Sequence, residues 1–385
     1  MKGLNKPPIT ISNNILGNPF VGKRPSMQIT PSNLGSYVAL AAMMVATVGC
    51  TGGNKPSANG GSGGGQSSGE LIKLQGAGAS FPALLYGAWF KTYSNEHDNV
   101  QIDYQSVGSG SGVSAVIDGT VDFGASDAAM TDEEMAKVER GVQLLPMTAG
   151  AIVIAYNLEG VEELKLSRDA YAGIFLKEIT KWNDPKIAAT NEGVELPDED
   201  INVIVRSDSS GTTYNFTQHL AAISEKFNSE VGVNKAPNWP VGTKSKGNEG
   251  VTTSLKQTPG SIGYVEFGYA EKTGLSMASL ENKAGKYIKP SIDSAQAALA
   301  SVEFPPSLIA FVPDPEGEDS WPIVTYTWII AYKTYDDSKK MEAFKEMIKY
   351  CLTTGQESSE ELGYIPLPEA VTSKVTAALD NISAK

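Results

Sequence analysis

The feature that most constrains the fold is an alternation, from Leu71 onward, between short apolar runs typical of strands and longer amphipathic runs typical of helices. The run LIKLQGAG precedes FPALLYGAWFKTYSNE, VQIDYQSVG precedes GVSAVIDG, and VDFGAS precedes TDEEMAKVERG. Strand-like and helix-like segments that follow one another in this way are the signature of α/β proteins. The sequence therefore predicts an α/β fold.

Two further apolar runs flank a long middle segment, AIVIAYN at Ala151–Asn157 and PIVTYTWIIAY at Pro322–Tyr332. They are candidates for paired strands by which the chain leaves one lobe and returns to it. With 385 residues, of which 41% are apolar, the chain is long enough for two ordinary domains. We expect lobe one at residues 71–147 and 325–385, and lobe two at residues 148–324.

Two sets of residues are expected to fill the core. The stretch KKMEAFKEMIKYCLTTG has apolar residues at helical spacing and predicts a helix on lobe one, with the apolar positions Met341, Phe344, Met347, Ile348 and Cys351. Cys351 is then a small buried hydrophobe. The five tryptophans are dispersed, which favours core packing over a sugar-stacking platform; they are Trp89, Trp182, Trp239, Trp321 and Trp328.

The N-terminal region has the features of an export signal. Lys23 and Arg24 precede the apolar run SYVALAAMMVATVGC at Ser36–Cys50, which is too short to span a bilayer comfortably. Its end resembles a bacterial lipobox, in which Cys50 is lipidated, although Thr47 stands where an aliphatic residue is usual. Residues 1–50 are therefore expected to be a signal peptide with a lipobox-like end. An ordinary secretory signal with a chance cysteine is the alternative, and both export the protein.

Residues 51–70, TGGNKPSANGGSGGGQSSGE, are dominated by Gly and Ser and predict a flexible linker that spans roughly 25 Å. A linker between a lipidated cysteine and a folded body is suited to a tether. We expect the protein in the periplasm or at the cell surface, with a lipid anchor as its only link to a membrane.

Charge and composition exclude several classes of function. The formal net charge is −13, and because the first 50 residues hold four basic and no acidic residues, the remainder carries −17. Nucleic-acid binders neutralise phosphates with clustered Lys and Arg, and the sequence has no basic run of that kind. Two cysteines and two histidines are too few for a disulfide scaffold or for a thiolate or histidine metal site. We expect no metal and no cofactor.

Four segments combine glycine with small hydroxyl residues immediately before a helical pattern. They are GAGASFP at Gly76–Pro82, GSGSG at Gly108–Gly112, GASDAAMTDEE at Gly124–Glu134 and RSDSSGTT at Arg206–Thr213. Helix N-termini present unpaired N–H groups and a partial positive charge, which suits an anion. Ordinary helix caps have the same composition, so the inference depends on the recurrence of the pattern.

The last of these segments also contains a cation. Arg206 offers a planar fork of donors suited to a tetrahedral oxyanion, and Asp208, two residues later, can hold the guanidinium in place. Arginines of this kind also form ordinary surface ion pairs, which is the alternative interpretation.

The order of these motifs resembles the substrate-binding protein of the ABC-type phosphate importer, a kind of periplasmic binding protein. The resemblance extends from Leu71 to the C-terminus, and its most specific pieces are GAGASFPALLYGAWF, VDFGASDAAMT, ITKWNDPKI, VRSDSSGTTYNFTQHL, GSIGYVEFGYA and SWPIVTYTWII. It implies a two-lobed periplasmic-binding-protein fold, in which two α/β domains are joined by crossing strands and the ligand lies between them. It also implies a monomer that binds inorganic phosphate and docks on the membrane permease.

The resemblance implies a set of phosphate-binding residues. Ser80 replaces the Thr that the family often has before Phe-Pro and keeps the hydroxyl, and Ser111 is the alternative to Ser109 in the GSGSG loop. The implied residues are Ser80, Phe81 through its N–H, Ser109, Asp127, Arg206, Asp208, Ser210, Gly211 and Thr212. Asp127 is expected to accept the proton that phosphate carries, whereas fully ionised sulfate has no proton to give.

Two other functions remain as alternatives. GAGASF superficially resembles a dinucleotide-binding fingerprint, but Phe81 occupies the place of its third glycine, and no G-x-S-x-G motif or P-loop lysine occurs from Leu71 onward. These features argue against an enzyme. A binder of another oxyanion, such as sulfate, molybdate or phosphonate, would use the same fold, and the pair Asp127 and Arg206 disfavours it.

Overall fold

The computed structural model describes residues 70–385, so the predicted signal peptide, the lipidation at Cys50 and nearly all of the predicted linker lie outside the described residues. The strands are β1 Ile72–Gly78, β2 Val100–Ser106, β3 Phe123–Ser126, β4 Val142–Asn157, β5 Lys165–Leu166, β6 Asn202–Arg206, β7 Thr243–Ser245, β8 Ser261–Glu266, β9 Ser276–Met277, β10 Ser279–Glu281, β11 Tyr287–Ile288, β12 Val324–Tyr332, β13 Thr334–Tyr335 and β14 Ser383–Ala384.

Helices alternate with these strands through the described residues. They are α1 Ala83–Glu96, α2 Ser109–Ile117, α3 Asp132–Met135, α4 Arg168–Phe175, α5 Pro185–Ala188, α6 Gly211–Ile223, α7 Glu225–Glu230, α8 Gly247–Gln257, α9 Phe267–Thr273, α10 Ile292–Leu299, α11 Ser338–Leu352 and α12 Glu369–Ala378. Short 3₁₀ helices span Thr354–Ser358, Glu360–Leu362 and Leu379–Asn381. In residues 70–385, no helix has both the length and the apolar character needed to cross a bilayer.

The main sheet has the order β2-β1-β3-β12-β4-β8-β6-β7, and β9 pairs with β4 at its side. The strands β1, β2 and β3 run parallel, as do β6, β7 and β8, whereas β12 and β4 are antiparallel to their neighbours. Parallel neighbours are joined by crossover helices, which cover the faces of the sheet. The α/β fold that the sequence predicts is confirmed.

Strand β4 connects the two groups of parallel strands. Its first part, Val142–Ala151, pairs with β12, and its second part, Ile152–Asn157, pairs with β8. The sequence analysis predicted that the run at Ala151–Asn157 pairs with the run at Pro322–Tyr332. This is correct only at the start of the first run, where Ala151 is opposite Val324 and the Ile152 N–H donates to the Ile323 oxygen at 2.9 Å. The other residues of that run pair with β8 instead, so the predicted pairing needs this correction.

The part of β4 that precedes Ala151 was not recognised as a strand because it contains Pro146. Thr327 is opposite Thr148 and Trp328 is opposite Pro146, so Met147 is an extra residue in a β-bulge. Proline cannot donate a ladder hydrogen bond and is tolerated in strands at bulges, and here it made the segment before Ala151 look unlike a strand. No observation tests the exact boundaries of the two lobes, which stay a prediction.

The core contains the residues that the sequence placed there. Four of the tryptophans are fully buried, and each indole N–H donates to a backbone oxygen, as Trp321 does to Ile152 at 3.0 Å and Trp328 to Leu308 at 2.7 Å. Trp239 is half-buried. Helix α11 packs against β1 and α1, and Cys351 is completely buried on it, as predicted.

The end of β1 requires a glycine. Gly78 has a φ of +152°, and a Cβ atom there would lie 2.0 Å from the backbone oxygen of Ala125 on the neighbouring strand β3. Only glycine allows this approach. The chain therefore enters the loop that leads to Ser80 with the ends of β1 and β3 held close together.

Replacing Gly78 by Ala is expected to lower the free energy of unfolding by roughly 3 kcal/mol, because the new methyl group collides with backbone that has nowhere to move. Gly87→Ala is the matched control, since Gly87 is exposed in α1 and its Cβ would have open space. That control should gain about 0.5–1 kcal/mol. Urea unfolding followed by circular dichroism measures both, and equal stabilities for the two variants would contradict the close approach.

Candidate functional site

The N-termini of four helices meet at one place. Ser109 at the start of α2 contacts Gly211 at the start of α6, its Oγ accepting the Gly211 N–H at 3.1 Å. Asn248 in the first turn of α8 donates to Ser80, just before α1, at 3.0 Å, and to Thr212 at 3.3 Å. Each helix start adds partial positive charge and unpaired N–H groups. The cluster is therefore suited to an anion. Three of its four helices, α1, α2 and α6, follow segments that the sequence analysis singled out, whereas α8 replaces the helix α3 that was expected after the remaining one.

Ser109 is the point at which the cluster is tied together. Its Oγ accepts the backbone N–H of Asp127 at 3.2 Å as well as that of Gly211. A Cβ on Gly211 would lie 2.5 Å from this oxygen, so the contact depends on glycine. Ser109 is completely buried, whereas Ser111 is exposed. The structure thus brings Ser109 into the cluster and leaves Ser111 outside it.

Arg206 is held in a fixed orientation by Asp208. Its Nε donates to Oδ1 of Asp208 at 2.9 Å and its Nη2 to Oδ2 at 2.6 Å, while Nη1 reaches the Thr212 hydroxyl at 3.3 Å. Burial raises the pKa of Asp208, but the hydrogen bonds and charge of Arg206 outweigh it and keep that pKa below its ordinary value. Asp208 therefore holds the guanidinium in place, as the sequence predicted, and it does so through a bidentate pair.

Asp127 follows β3 and is buried next to this pair. Thr327 donates to its Oδ1 at 2.8 Å. Burial raises the pKa of Asp127 to about 7, although hydrogen bonds from Thr327 and Thr212 and the positive charge of Arg206 act in the opposite direction. The carboxyl group is therefore able to carry or accept a proton near neutral pH.

Two tyrosine hydroxyls fix the backbone at Ser80 and Phe81 by donating to the backbone oxygens of these residues. Tyr269 donates its hydroxyl to the Ser80 oxygen at 2.9 Å, and Tyr364 donates to the Phe81 oxygen at 2.6 Å. Because the C=O and N–H of a trans peptide point in opposite directions, the Tyr269 contact turns the Phe81 N–H to the other side. The Phe81 ring is buried with its edge against Tyr364.

Ser210 has a capping role in addition to its place in the cluster. Its Oγ accepts the Thr213 N–H at 3.0 Å and so caps α6, and its own N–H donates to the Lys235 oxygen at 2.9 Å. Both the capping and the anion-binding interpretation of this segment are therefore compatible with the structure. All nine sequence-predicted residues lie in the cluster or directly against it.

Besides Asn215, which donates to the backbone oxygen of Asp127 at 2.7 Å, sequence reasoning missed four residues that support the site. Asn248, Tyr269, Thr327 and Tyr364 each donate to a predicted site residue. Only Asn248 carried a usable signal, since KSKGNEG has the same glycine and polar composition before a helix as the four recognised segments. The other three lie within apolar or loop stretches that gave no such pattern.

Two polar contacts lie beside the cluster and join residues of predicted lobe one to residues of predicted lobe two. Lys235 pairs with Glu134 at 3.1 Å, with side chains only 20% and 24% exposed. Ser106 donates to Glu249 at 2.8 Å. The backbone of Lys235 also accepts from Ser210, so the ion pair is connected directly to the site.

Because the charges of the site largely cancel, an anion would be held there by hydrogen bonds and not by a net positive charge. Asp208 neutralises Arg206, and the protein as a whole is acidic, so the donors are helix N–H groups, hydroxyls and the guanidinium. Among residues 70–385, no group of three or more His, Cys, Asp and Glu side chains is placed to hold a metal ion. The arrangement can hold a small oxyanion by many short-range donors.

The sequence is similar to those of known proteins. A family model described as a PBP superfamily domain matches residues 54–353. The phosphate-binding protein PstS of Pasteurella multocida is 39% identical over 308 residues, which cover 79% of this chain and 89% of the relative. The chain belongs to the PstS family of phosphate-binding proteins. A PstS protein of Methanocaldococcus jannaschii is 34% identical over 367 residues, 87% of this chain and 91% of that one.

Solved structures share the fold of this PstS-family chain. A high-affinity periplasmic phosphate-binding protein, PfluDING, superposes with a TM-score of 0.67 at 21% identity over 80% of this chain and 93% of that one. A phosphate-binding protein from Stenotrophomonas maltophilia gives 0.64 at 19% identity over 80% and 94%. The predicted two-lobed periplasmic-binding-protein fold is confirmed.

The raised pKa of Asp127 predicts a pH effect on stability. Between pH 3.8 and about 7 the folded protein keeps a proton that the unfolded chain releases, so its stability falls as the pH rises, by about 4 kcal/mol over the whole interval. Asp127→Asn cannot ionise, and its stability should exceed that of the wild type by a margin that grows across the same interval.

Urea unfolding of the ligand-free proteins near both ends of this interval measures the margin. His219, whose pKa burial lowers to about 4, acts in the opposite direction, since its contribution is lost as the pH falls. It is present in both proteins and therefore cancels in the comparison. A margin that stays constant with pH would show that Asp127 ionises normally.

Proposed function

We propose that this protein binds inorganic phosphate between its two lobes and delivers it to an ABC-type importer as a solute-binding protein, not as an enzyme. The observation that carries the proposal is the buried cluster of helix N-termini around Arg206 and Asp127 in a chain of the PstS family. Relatives that cover most of this chain are named phosphate-binding proteins, which supports the same ligand.

The proposed ligands are supplied by both predicted lobes. Lobe one contributes Ser80, the Phe81 N–H, Ser109 and Asp127, and lobe two contributes Arg206, Ser210, Gly211 and Thr212, with Asp208 orienting the guanidinium. Helix N-termini and hydroxyls bind the phosphate oxygens as donors, and Arg206 adds a fixed positive charge.

Asp127 gives the site its selectivity. Phosphate near neutral pH still carries a proton and donates a hydrogen bond through it to the carboxylate, whereas sulfate offers only oxygen acceptors and faces an unmatched negative charge. Leaving such a buried group unpaired costs several kcal/mol, enough for a preference of ~10³-fold.

Residues from both lobes surround the ligand, so binding is coupled to closure of the lobes. The closed arrangement is supported by the contact between Ser109 and Gly211, together with the ion pair of Lys235 and Glu134. Ligand contacts made only in the closed form shift the equilibrium toward it, and an importer can distinguish the two forms.

The cellular setting is part of the proposal. The protein is exported to the periplasm or cell surface, held by a lipid on Cys50 and by the linker at residues 51–70, and it docks on the permease subunits as a monomer. The N-terminal sequence supports export, and the strongly acidic composition argues against nucleic acid as a partner.

The ligand is tested by isothermal titration of the purified protein, stripped of bound ligand, with phosphate and then with sulfate. We expect one-to-one phosphate binding and no heat from sulfate, and a loss of most of the ~10³-fold preference in Asp127→Asn. An unchanged preference for phosphate over sulfate in the variant would show that Asp127 does not determine the selectivity. Binding of sulfate, molybdate or phosphonate in place of phosphate would favour the alternative oxyanion.

Closure is tested by Gly211→Ala, because the added Cβ would lie 2.5 Å from Ser109 Oγ and 2.7 Å from Asp127 Oδ2. We expect phosphate affinity to fall at least ~100-fold and the compaction on adding phosphate, measured by small-angle scattering, to disappear. Gly250→Ala in α8 is the matched control, since its Cβ would make only ordinary contacts. Compaction of Gly211→Ala equal to that of the control would contradict the closure model.

A further inference from the structure

Asn248 is a completely buried residue in the first turn of α8, and neither the motifs nor the family names give it a role. It lies between the two predicted lobes and contacts a hydroxyl from each, Ser80 on one side and Thr212 on the other. A buried amide can satisfy up to two donors and two acceptors, so the direction of each of its hydrogen bonds has to be established.

The orientation of the Asn248 amide is fixed by Glu266. The backbone N–H of Glu266 donates to Oδ1 of Asn248 at 3.0 Å. Since a backbone N–H can only donate, the atom that it meets has to be the amide oxygen and not the amide nitrogen. The nitrogen therefore faces the site, with two protons to give.

Both of these protons go to site hydroxyls. Nδ2 donates to Ser80 Oγ at 3.0 Å and to Thr212 Oγ1 at 3.3 Å. Ser80 Oγ receives a second donor from the Asn248 N–H at 3.0 Å, and Thr212 Oγ1 receives one from Arg206 Nη1 at 3.3 Å. A hydroxyl oxygen has two lone pairs, so each of these oxygens is fully occupied.

The Ser80 hydroxyl then has only its own proton to offer, and the Thr212 hydroxyl has only the proton that it otherwise directs toward Asp127. A phosphate oxygen without a proton is a good partner for them, but a protonated oxygen finds no lone pair there. The carboxyl group of Asp127 can accept a hydrogen bond from a protonated phosphate oxygen. The donors and the acceptor together match a phosphate that carries a single proton.

We propose that Asn248 is a positioning residue that sets the direction of the Ser80 and Thr212 hydrogen bonds, so that the site selects doubly ionised phosphate over the singly ionised form. This inference depends on the proposed phosphate-binding function. It assigns to Asn248 the choice between protonation states, whereas Asp127 chooses between phosphate and sulfate.

The test is titration of Asn248→Ala with inorganic phosphate over the pH range in which phosphate loses its second proton. In the wild type, affinity should rise with pH as the doubly ionised form accumulates. The variant frees a lone pair on both hydroxyls, which can then accept a phosphate proton. We expect its affinity at high pH to be roughly 10–100-fold weaker and its dependence on pH to be clearly flatter.

Asn282→Ala is the matched control. Asn282 is also completely buried, and its amide donates to the backbone oxygens of Gly317, Glu318 and Ser320, away from the site. This variant should lose stability but keep the phosphate affinity and pH dependence of the wild type. A variant of Asn248 that binds more weakly with an unchanged pH dependence would show a purely structural role and overturn the inference.

Asn248→Asp is a second test that preserves the shape of the side chain and the acceptor for the Glu266 N–H. Its second oxygen accepts protons from Ser80 and Thr212 and so reverses both hydrogen bonds, and we expect phosphate affinity to fall by more than ~100-fold. Wild-type affinity in this variant would refute the inference. Failure of the wild-type protein to bind phosphate would instead refute the proposed function. The experiment therefore distinguishes failure of the inference about Asn248 from failure of the proposed function.

Discussion

The shared acceptor at Ser109 is the interaction on which the rest of the site depends. One buried hydroxyl oxygen receives the N–H of Asp127 from the end of β3 and the N–H of Gly211 from the start of α6. Because Gly211 has no side chain, the two segments approach closely enough for this bond to form. The contact from Asn248 to Ser80 likewise joins predicted lobe two to predicted lobe one.

An acidic protein that binds an anion has to offset the repulsion between its own negative charge and the anion by donors at the site itself. Asp208 cancels the charge of Arg206, so attraction at long range is small and the donors act through short hydrogen bonds. Burial strengthens each of these bonds, since the competing water is removed. The same burial makes an unpaired acceptor costly, which is why the protonation of Asp127 matters for the choice of ligand.

The fold class could be predicted because it depends on local pattern, whereas the site residues were inferred from the family resemblance, and their role as phosphate ligands stays a prediction. Alternating periodicity identified the α/β fold, and glycine with hydroxyl residues before helices marked Ser109 and Gly211. The first half of β4 was missed because Pro146 disguises a strand whose bulge is defined only by its partner β12. Thr327 was missed for a related reason. It lies in an apolar strand, and the sequence around it does not indicate that its hydroxyl contacts the Asp127 carboxylate.

The ion pair between Lys235 and Glu134 has a consequence for the habitat in which the protein can work. Dissolved salt weakens exposed ion pairs strongly but reaches a pair that is about one-fifth to one-quarter exposed far less. The contact that this pair makes between the two predicted lobes should then change little in strength between fresh and saline surroundings, while the high negative charge of the body keeps the protein soluble in both.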